Sequence, residues 1–518
     1  MRIVHIAAEF APIAKAGGLG EVLLGLVKEQ TKRGENVDVI LPKYDQIDLN
    51  TVRDLQIEIP HYQSVAHPAI AWVCRYEECQ LRLLESRHPS GYFHRGKIYG
   101  FEDDIARFIS FSRSAIDYLA LKNEPIDILH LHDWHVSLCA PMVRNLIQKI
   151  AVKAIVLTIH NVEYQGRCAP WDLDRVGLDG NFYLKPNLMQ DDDPKYAHTI
   201  NLLKGGIVFA DAIVAVSPDY AAEILTPQFG TTHLEPTLNK IQGKIRGILN
   251  GIDMGYWDPE KDPHLPTRYA VESAAKGKEA ARLKLKLNPF KRPWIGAITR
   301  LVPQKGPELL ANAIETALDL GGSFLLLGSV SDPALKEPFS QLKEKYSSNS
   351  QVLLQYEYNE PLAHQLYAAL DYLLVPSLYE PCGLTQMIGM RYGAVPIVRA
   401  TGGLKGTVFD WENGSVPIQR RNGFSFTDPT KECMNETLKR AFRLFKEDPA
   451  SYKTIQRHGM LSDFGWKKPA QEYLRLYESL LKRTFDVSAI RINVVPDRNR
   501  GVEGGDRCCK QADLLKEF

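Results

Sequence analysis

The chain has 518 residues, 44% of them hydrophobic and 24% charged, with 63 basic and 62 acidic side chains and a formal net charge of +1. That length exceeds what one hydrophobic core organises and implies two or three domains. The balanced charge gives no support for nucleic-acid binding or for attachment to a membrane surface, so any anion must be held by a few placed groups.

No run of about 18 apolar residues reads as a membrane span. The start, MRIVHIAAEF, reads as a strand and not as a secretory signal. Eight cysteines (Cys74, Cys79, Cys139, Cys168, Cys382, Cys433, Cys508 and Cys509) form no CxxC pair. They read as free thiols of a reducing, cytoplasmic compartment, with no zinc site expected.

Short apolar runs then alternate with helix-period segments. Residues 2–8 predict a strand and a helix starts near Gly20; further strands are expected at 37–41, 126–131, 154–159, 212–216 and 247–249. The segment 53–86 differs, because its alternation over 72–76 and 81–84 predicts a β-hairpin insertion. Residues 258–276 are polar, carry Pro259, Pro263 and Pro266, and predict a linker. A second strand series follows at 294–298, 324–327, 352–355, 372–375 and 395–398, then an amphipathic helix at 473–481. The stretch 499–506 is Gly-rich and charged and predicts a poorly ordered tail. The expected fold class is α/β. Two Rossmann-like lobes, 1–257 and 277–460, flank the linker 258–276 and a ligand cleft at the strands' carboxyl ends; a helical segment 461–484 and a tail 485–518 follow.

Polar clusters fall where these strands end. After the first strand, Lys15, Ala16, Gly17 and Gly18 open a helix, where backbone N–H groups and a lysine suit an anion; taken alone, this also reads as a tight turn with a surface lysine. Arg300 and Lys305 follow the strand at 294–298 and would suit a diphosphate, or form a solvated basic turn. Glu380 precedes Pro381, Cys382, Gly383, Leu384 and Thr385. It is placed to accept from sugar hydroxyls, or to cap a helix. Thr401, Gly402 and Gly403 repeat the strand-then-glycine theme, with N–H groups that could face phosphates. His132, Asp133, Trp134 and His135 end one strand, and Thr158, Ile159, His160 and Asn161 the next. Metal binding by His132 and His135 is the rival reading, but they lack an HExxH helix and a third ligand, so no metal is expected. Asp191, Asp192 and Asp193 read as a solvated loop.

Together, KAGGLGEV (15–22), HDWH (132–135), TIHN (158–161), LNGID (249–253), TRLVPQKG (299–306), EPCGLTQ (380–386) and TGGL (401–404) resemble, in order, the glycogen/starch synthase family, bacterial type. The resemblance runs from residue 1 to about 481 and implies a GT-B arrangement with the active site between the lobes. It implies a retaining transfer of glucose from a nucleotide-glucose, ADP-glucose favoured over UDP-glucose, to the non-reducing 4-hydroxyl of an α-1,4-glucan, with no cofactor. In that frame Lys15, Gly17 and Gly18 meet the donor's diphosphate and glucose, and Arg300 and Lys305 neutralise the diphosphate. Glu380 lies beside the donor sugar with the Cys382–Thr385 turn, His160 touches the transferred glucose, and Asp133 and Asn250 line the cleft. The first lobe is then the acceptor side and the second the donor side, and the late helix crosses back to the first lobe. Ala16 and Glu21 depart from the family's usual KTGGLGDV, and the tail beyond Phe485 has no family counterpart. Two other readings stand beside this one: a different retaining GT-B enzyme, such as a sucrose-synthase relative, and a non-catalytic glucan-binding relative.

Overall fold

The computed structural model describes residues 1–482 except 66, 147–149, 227–231, 288–292 and 331. The expected tail, with Cys508 and Cys509, lies outside the described residues. Among the described residues, no helix is long and apolar enough to cross a membrane.

In chain order the first half forms β1 (Arg2–Ile6), β2 (Asn36–Pro42), β3 (Arg53–Gln63), β4 (Pro68–Tyr76), β5 (Cys79–Ser86), β6 (Ile126–His132) and β7 (Val152–Ile159). A short antiparallel pair, β8 (Arg167–Cys168) and β9 (Ile200–Asn201), precedes β10 (Ala212–Ala215) and β11 (Ile245–Gly247). Nine of these make one sheet in the order β11-β10-β7-β6-β1-β2-β5-β4-β3. The six strands from β11 to β2 in that order are parallel and almost wholly buried, which is why they read as continuous apolar runs. The segment 53–86 contains the expected hairpin, the antiparallel pair β4–β5. It is a three-strand meander whose last strand, β5, pairs in parallel with β2 and so extends the main sheet.

The second half supplies β12 (Trp294–Ile298), β13 (Ser323–Leu327), β14 (Val352–Gln355), β15 (Tyr372–Val375), β16 (Val395–Arg399) and β17 (Phe424–Phe426). They form a parallel sheet in the order β14-β13-β12-β15-β16-β17. Alternate residues face opposite sides, as a strand requires. Ile295, Ala297, Phe324 and Leu326 enter one core, and Trp294, Ile298, Leu325 and Leu327 enter another that runs on into the first lobe. The architecture is two Rossmann-like lobes, the second in the doubly wound order with a switch point between β12 and β15.

Residues 258–276 do not form a free tether. Asp262 accepts from the Tyr392 hydroxyl at 2.5 Å and lies 2.7 Å from His364 Nδ1; Asp258 pairs with Arg391 at 2.8 Å, and Tyr269 donates to the Tyr392 carbonyl at 2.9 Å. The final helix, Lys467–Lys482, returns to the first lobe. It packs Tyr473, Leu474, Tyr477 and Leu480 inward, and Arg33 donates to its Lys467 carbonyl at 2.9 Å.

Its entry is fixed by the buried indole of Trp466, which lies on the helix Gly18–Lys32 where Gly25 has no side chain. A β-carbon at Gly25 would sit 2.0 Å from Trp466 Nε1. Gly25→Ala is therefore expected to lose about 1–3 kcal/mol of stability by overpacking. Chemical denaturation checks this, and an unchanged midpoint would show that the indole can move aside.

Candidate active site

The polar clusters sit at the two switch points. In the first sheet, β1 and β6 are neighbours from which the chain departs in opposite directions; in the second, β12 and β15 are. The loops at these carboxyl ends form the crevice into which such sheets bind ligands.

In the second lobe the loops after β12, β15 and β16 meet at Glu380, which is only 6% exposed. Its Oε2 accepts from Lys305 Nζ at 2.5 Å and from Ser377 Oγ at 2.7 Å. Its carbonyl accepts from the N–H of Gly403 at 3.0 Å. Gly402, at φ +44°, lies where a β-carbon would be 2.0 Å from the Glu380 carbonyl oxygen, and Gly306, at φ +64°, touches the Pro376 carbonyl in the same way. Gln304 clamps the adjoining turn through the Tyr379 carbonyl and the Leu378 N–H. Arg300 is exposed, and among the described residues its guanidinium makes no hydrogen bond or ion pair. Gly383, at φ +72°, turns the chain into the helix Thr385–Arg391, with Leu384 as the preceding residue. Burial pushes the Cys382 thiol up to about 12, which leaves no thiolate nucleophile.

In the first lobe Glu9 organises the loop after β1. Its Oε2 accepts from the N–H groups of Ala16 and Gly17, each at 2.7 Å, and Oε1 accepts from the Tyr99 hydroxyl at 3.0 Å. Lys15 pairs with Glu21 at 2.7 Å and with Glu360 of the second lobe at 3.7 Å. Burial is the largest single influence and works against its charge, but Glu21, Glu360 and Tyr358 together outweigh it and its pKa is raised. The longer arm of Glu21 thus reaches the lysine. Asp133, at φ +61°, is buried, and its Oδ1 accepts from the N–H groups of His160 at 2.7 Å and Asn161 at 3.4 Å. It holds the loop that carries His160. His160 Nε2 lies 3.1 Å from His132 Nδ1, and burial lowers its pKa to about 3, so the ring is neutral.

The lobes touch through these same segments. Ser217 donates to the Pro381 carbonyl at 2.7 Å, and Glu223 accepts from Gly402 N–H at 2.8 Å and from the Thr401 hydroxyl at 3.2 Å. A β-carbon at Gly18 would meet Leu384 Cδ1 at 3.6 Å. Asn250, beside the Cys382 thiol, has a buried Oδ1 without a hydrogen-bond partner.

Two expectations are corrected. The N–H groups of Gly17, Gly402 and Gly403 are not free for a phosphate, because Glu9, Glu223 and the Glu380 carbonyl already accept from them. The aspartates 191–193 are not a solvated loop: Asp191 pairs with Arg167 at 2.7 Å and Asp192 with the fully buried Lys204 at 2.5 Å. The ring of His135 lies tilted against Trp134, 4.2 Å between centroids; among the described residues the histidines that converge are His5, His130 and His132. Ser377, Glu9, Glu223 and Glu360 were not singled out. Ser377 carried a weak signal, three residues before Glu380 at the same strand end, but nothing local marked the others.

Burial raises the Asp133 carboxyl to about 7, against the lowering effect of the two N–H groups. The folded state therefore holds this proton more tightly than the unfolded chain, whose carboxyl titrates near ~3.9. The resulting stabilisation is complete below about pH 4 and is lost as pH rises to about 7. Asp133→Asn keeps an acceptor oxygen but removes the titration. It is expected to gain melting temperature relative to the parent between about pH 4 and 8; a gain running the other way would refute the burial argument.

Residues 2–240 match the family profile described as the starch synthase catalytic domain, and residues 282–453 match glycosyl transferases group 1. The chain is 42% identical over 499 residues to a glycogen synthase of Protochlamydia amoebophila (strain UWE25), covering 93% of this chain and 99% of that protein. The solved catalytic domain of starch synthase IV from Arabidopsis thaliana, bound to ADP and acarbose, is 40% identical, with a TM-score of 0.88 over 93% of this chain and 99% of that one. Sucrose-phosphate synthase from Thermosynechococcus elongatus, 19% identical with a TM-score of 0.59 over 92% and 98% of the two chains, shares the fold alone. With both halves matched, and relatives of this identity covered almost end to end, the chain belongs to the glycogen/starch synthase family of GT-B glycosyltransferases.

Proposed function

We propose that the chain moves glucose from ADP-glucose to the non-reducing 4-hydroxyl of an α-1,4-glucan, with retention at the anomeric carbon. Residues 1–257 serve as the acceptor side and 277–460 as the donor side. The observation that carries this reading is the loop pair at the second switch point: an exposed Arg300, without a hydrogen bond or ion pair among the described residues, on the same loop as the Lys305 of an already assembled Lys305–Glu380–Ser377 cluster. The ADP held by the starch synthase IV neighbour supports the choice of nucleotide. The unpaired cysteines among the described residues are in keeping with work in the cytoplasm.

Transfer breaks the bond between the anomeric carbon and the diphosphate oxygen, and negative charge grows on the leaving group. Arg300 meets that charge with a planar fork, and Lys305 adds a second cation held in place by Glu380. Each charge-assisted hydrogen bond contributes about 1.5–3 kcal/mol, so the two together account for roughly 10²–10⁴ in rate. Glu380 keeps Oε1 for a donor hydroxyl while Oε2 is engaged by Lys305 and Ser377. His160, neutral and half-buried, contacts the sugar, and Lys15 faces the donor from the first lobe. The acceptor 4-hydroxyl attacks from the face that the diphosphate leaves, and its proton passes to the departing phosphate oxygen. No step needs a metal or an organic cofactor.

The first test is transfer of labelled glucose to glycogen, with ADP-glucose and UDP-glucose side by side and no metal added. Faster transfer from ADP-glucose is the expected result. Transfer to fructose instead, or none in a folded protein that still binds glycogen, would sink the reading.

Arg300→Ala and Lys305→Ala are each expected to lower kcat by about 10²-fold or more, but their stabilities should separate. Arg300 has no partner to lose, so its removal should stay within about 0.5 kcal/mol. Lys305→Ala leaves the buried Glu380 carboxylate without its cation and should cost about 3 kcal/mol. Denaturation curves of the two variants check this directly.

A further inference from the structure

Behind His160 lies a line of buried polar side chains that the reaction above does not use. His132 Nε2 is 3.1 Å from His5 Nδ1, and His5 Nε2 is 2.9 Å from Gln30 Oε1. Gln30 Nε2 donates to the Tyr477 hydroxyl at 3.3 Å; that hydroxyl lies 2.7 Å from His130 Nδ1, and His130 Nε2 lies 2.7 Å from Thr158 Oγ1. His5, Gln30, His130, His132, Thr158 and Tyr477 are all fully buried. They come from β1, β6, β7, the helix Gly18–Lys32 and the C-terminal helix, so the line joins the far end of the chain to the cleft.

Burial keeps these rings neutral. His5 is lowered to about 4, and His130 and His132 lie well below the ordinary histidine range. A neutral imidazole carries one N–H, so a ring that accepts at one nitrogen donates at the other. The line therefore has a direction, and the Gln30 amide sets it. Because Gln30 Oε1 accepts from His5 Nε2–H, His5 Nδ1 is bare and accepts from His132 Nε2–H. His132 Nδ1 is then bare and accepts from His160 Nε2–H. His160 Nδ1, on the far side of its ring from His132, is left as an acceptor. Turning the Gln30 amide over would reverse every bond and move the proton to His160 Nδ1. The Tyr477 hydroxyl holds the amide in this orientation by accepting from Gln30 Nε2–H at 3.3 Å.

We propose that Gln30 and Tyr477 are positioning residues for glucosyl transfer, fixing His160 through His5 and His132 as the Nε2–H tautomer so that its Nδ1 accepts from a hydroxyl of the transferred sugar. The inference rests on the sugar contact assigned to His160 above. It makes the docked C-terminal helix a condition for a competent site, because Tyr477 lies on that helix. His5, His130 and His132 do bring ligand atoms within 4.8 Å of one another, a spacing that could hold a buried metal ion. Hydrogen bonds, however, already account for all of their ring nitrogens.

The test is the ring-nitrogen spectrum of the full chain with isotope-labelled histidine, with the His160 signals identified by their loss in His160→Asn. The wild type is expected to show a protonated Nε2 and a bare Nδ1. Tyr477→Phe and Gln30→Met are each expected to shift His160 toward the other tautomer and to lower kcat about tenfold, leaving the affinity for ADP unchanged. Ser479→Ala removes an exposed hydroxyl of the same helix that donates to the Leu476 carbonyl at 2.7 Å, outside the line, and should change neither tautomer nor rate. A protonated Nδ1 in the wild type, unchanged His160 signals in both variants, or a stoichiometric metal on the three rings would overturn the relay. A changed tautomer with unchanged turnover would instead overturn the role, and with it the sugar contact of His160.

Discussion

A carboxylate that leaves water must be met by partners, and in this molecule Glu380 is where that constraint organises the cleft. One residue ties three loops together. Its side chain takes Lys305 from the loop after β12 and Ser377 from its own loop, and its carbonyl takes the Gly403 N–H from the loop after β16. The approach is close because Gly402 and Gly403 have no side chains to keep the backbones apart. The cation at position 305 is thus preset before any ligand arrives, whereas Arg300, earlier on the same loop, is exposed and makes no hydrogen bond or ion pair among the described residues.

The first lobe solves the same problem with different residues. Glu9 caps the N–H groups of the loop after β1, and Asp133 caps those of the loop after β7. Each side chain commits one oxygen to backbone N–H groups, Gly17 among them, so the cleft's charge toward a diphosphate comes from side chains more than from glycine N–H groups. Glu223 extends the pattern across the lobes. It occupies the Gly402 N–H at the very turn where an anion would be received, and burial raises its own pKa.

The two lobes share more than a cleft. One core runs from the first sheet across the C-terminal helix to one face of the second sheet, and a second core fills the other face. Lys467–Lys482 is therefore part of the first lobe's packing, with Trp466 seated over Gly25 and Tyr477 reaching Gln30. Through the histidines, that packing reaches the loop that carries His160.

The sequence by itself determined the buried parallel strands, because a strand covered on both faces must be apolar throughout and announces itself as a run; β12, β14 and β15 fall where their runs predicted. It missed β17, only three residues long, and β3, an edge strand whose side chains are mostly exposed and whose apolar residues are confined to alternate positions, Leu55, Ile57 and Ile59. It also placed the candidate site residues, since Arg300, Glu380, Asp133 and His160 each follow a strand at its carboxyl end. What each of those groups holds was decided only by the tertiary structure. Gly402 meets Glu223 across 179 positions, and Gln30 meets Tyr477 across 447. Periodicity records how one segment is buried, whereas a hydrogen-bond partner is chosen by how distant segments close on one another, and no local pattern carries that choice.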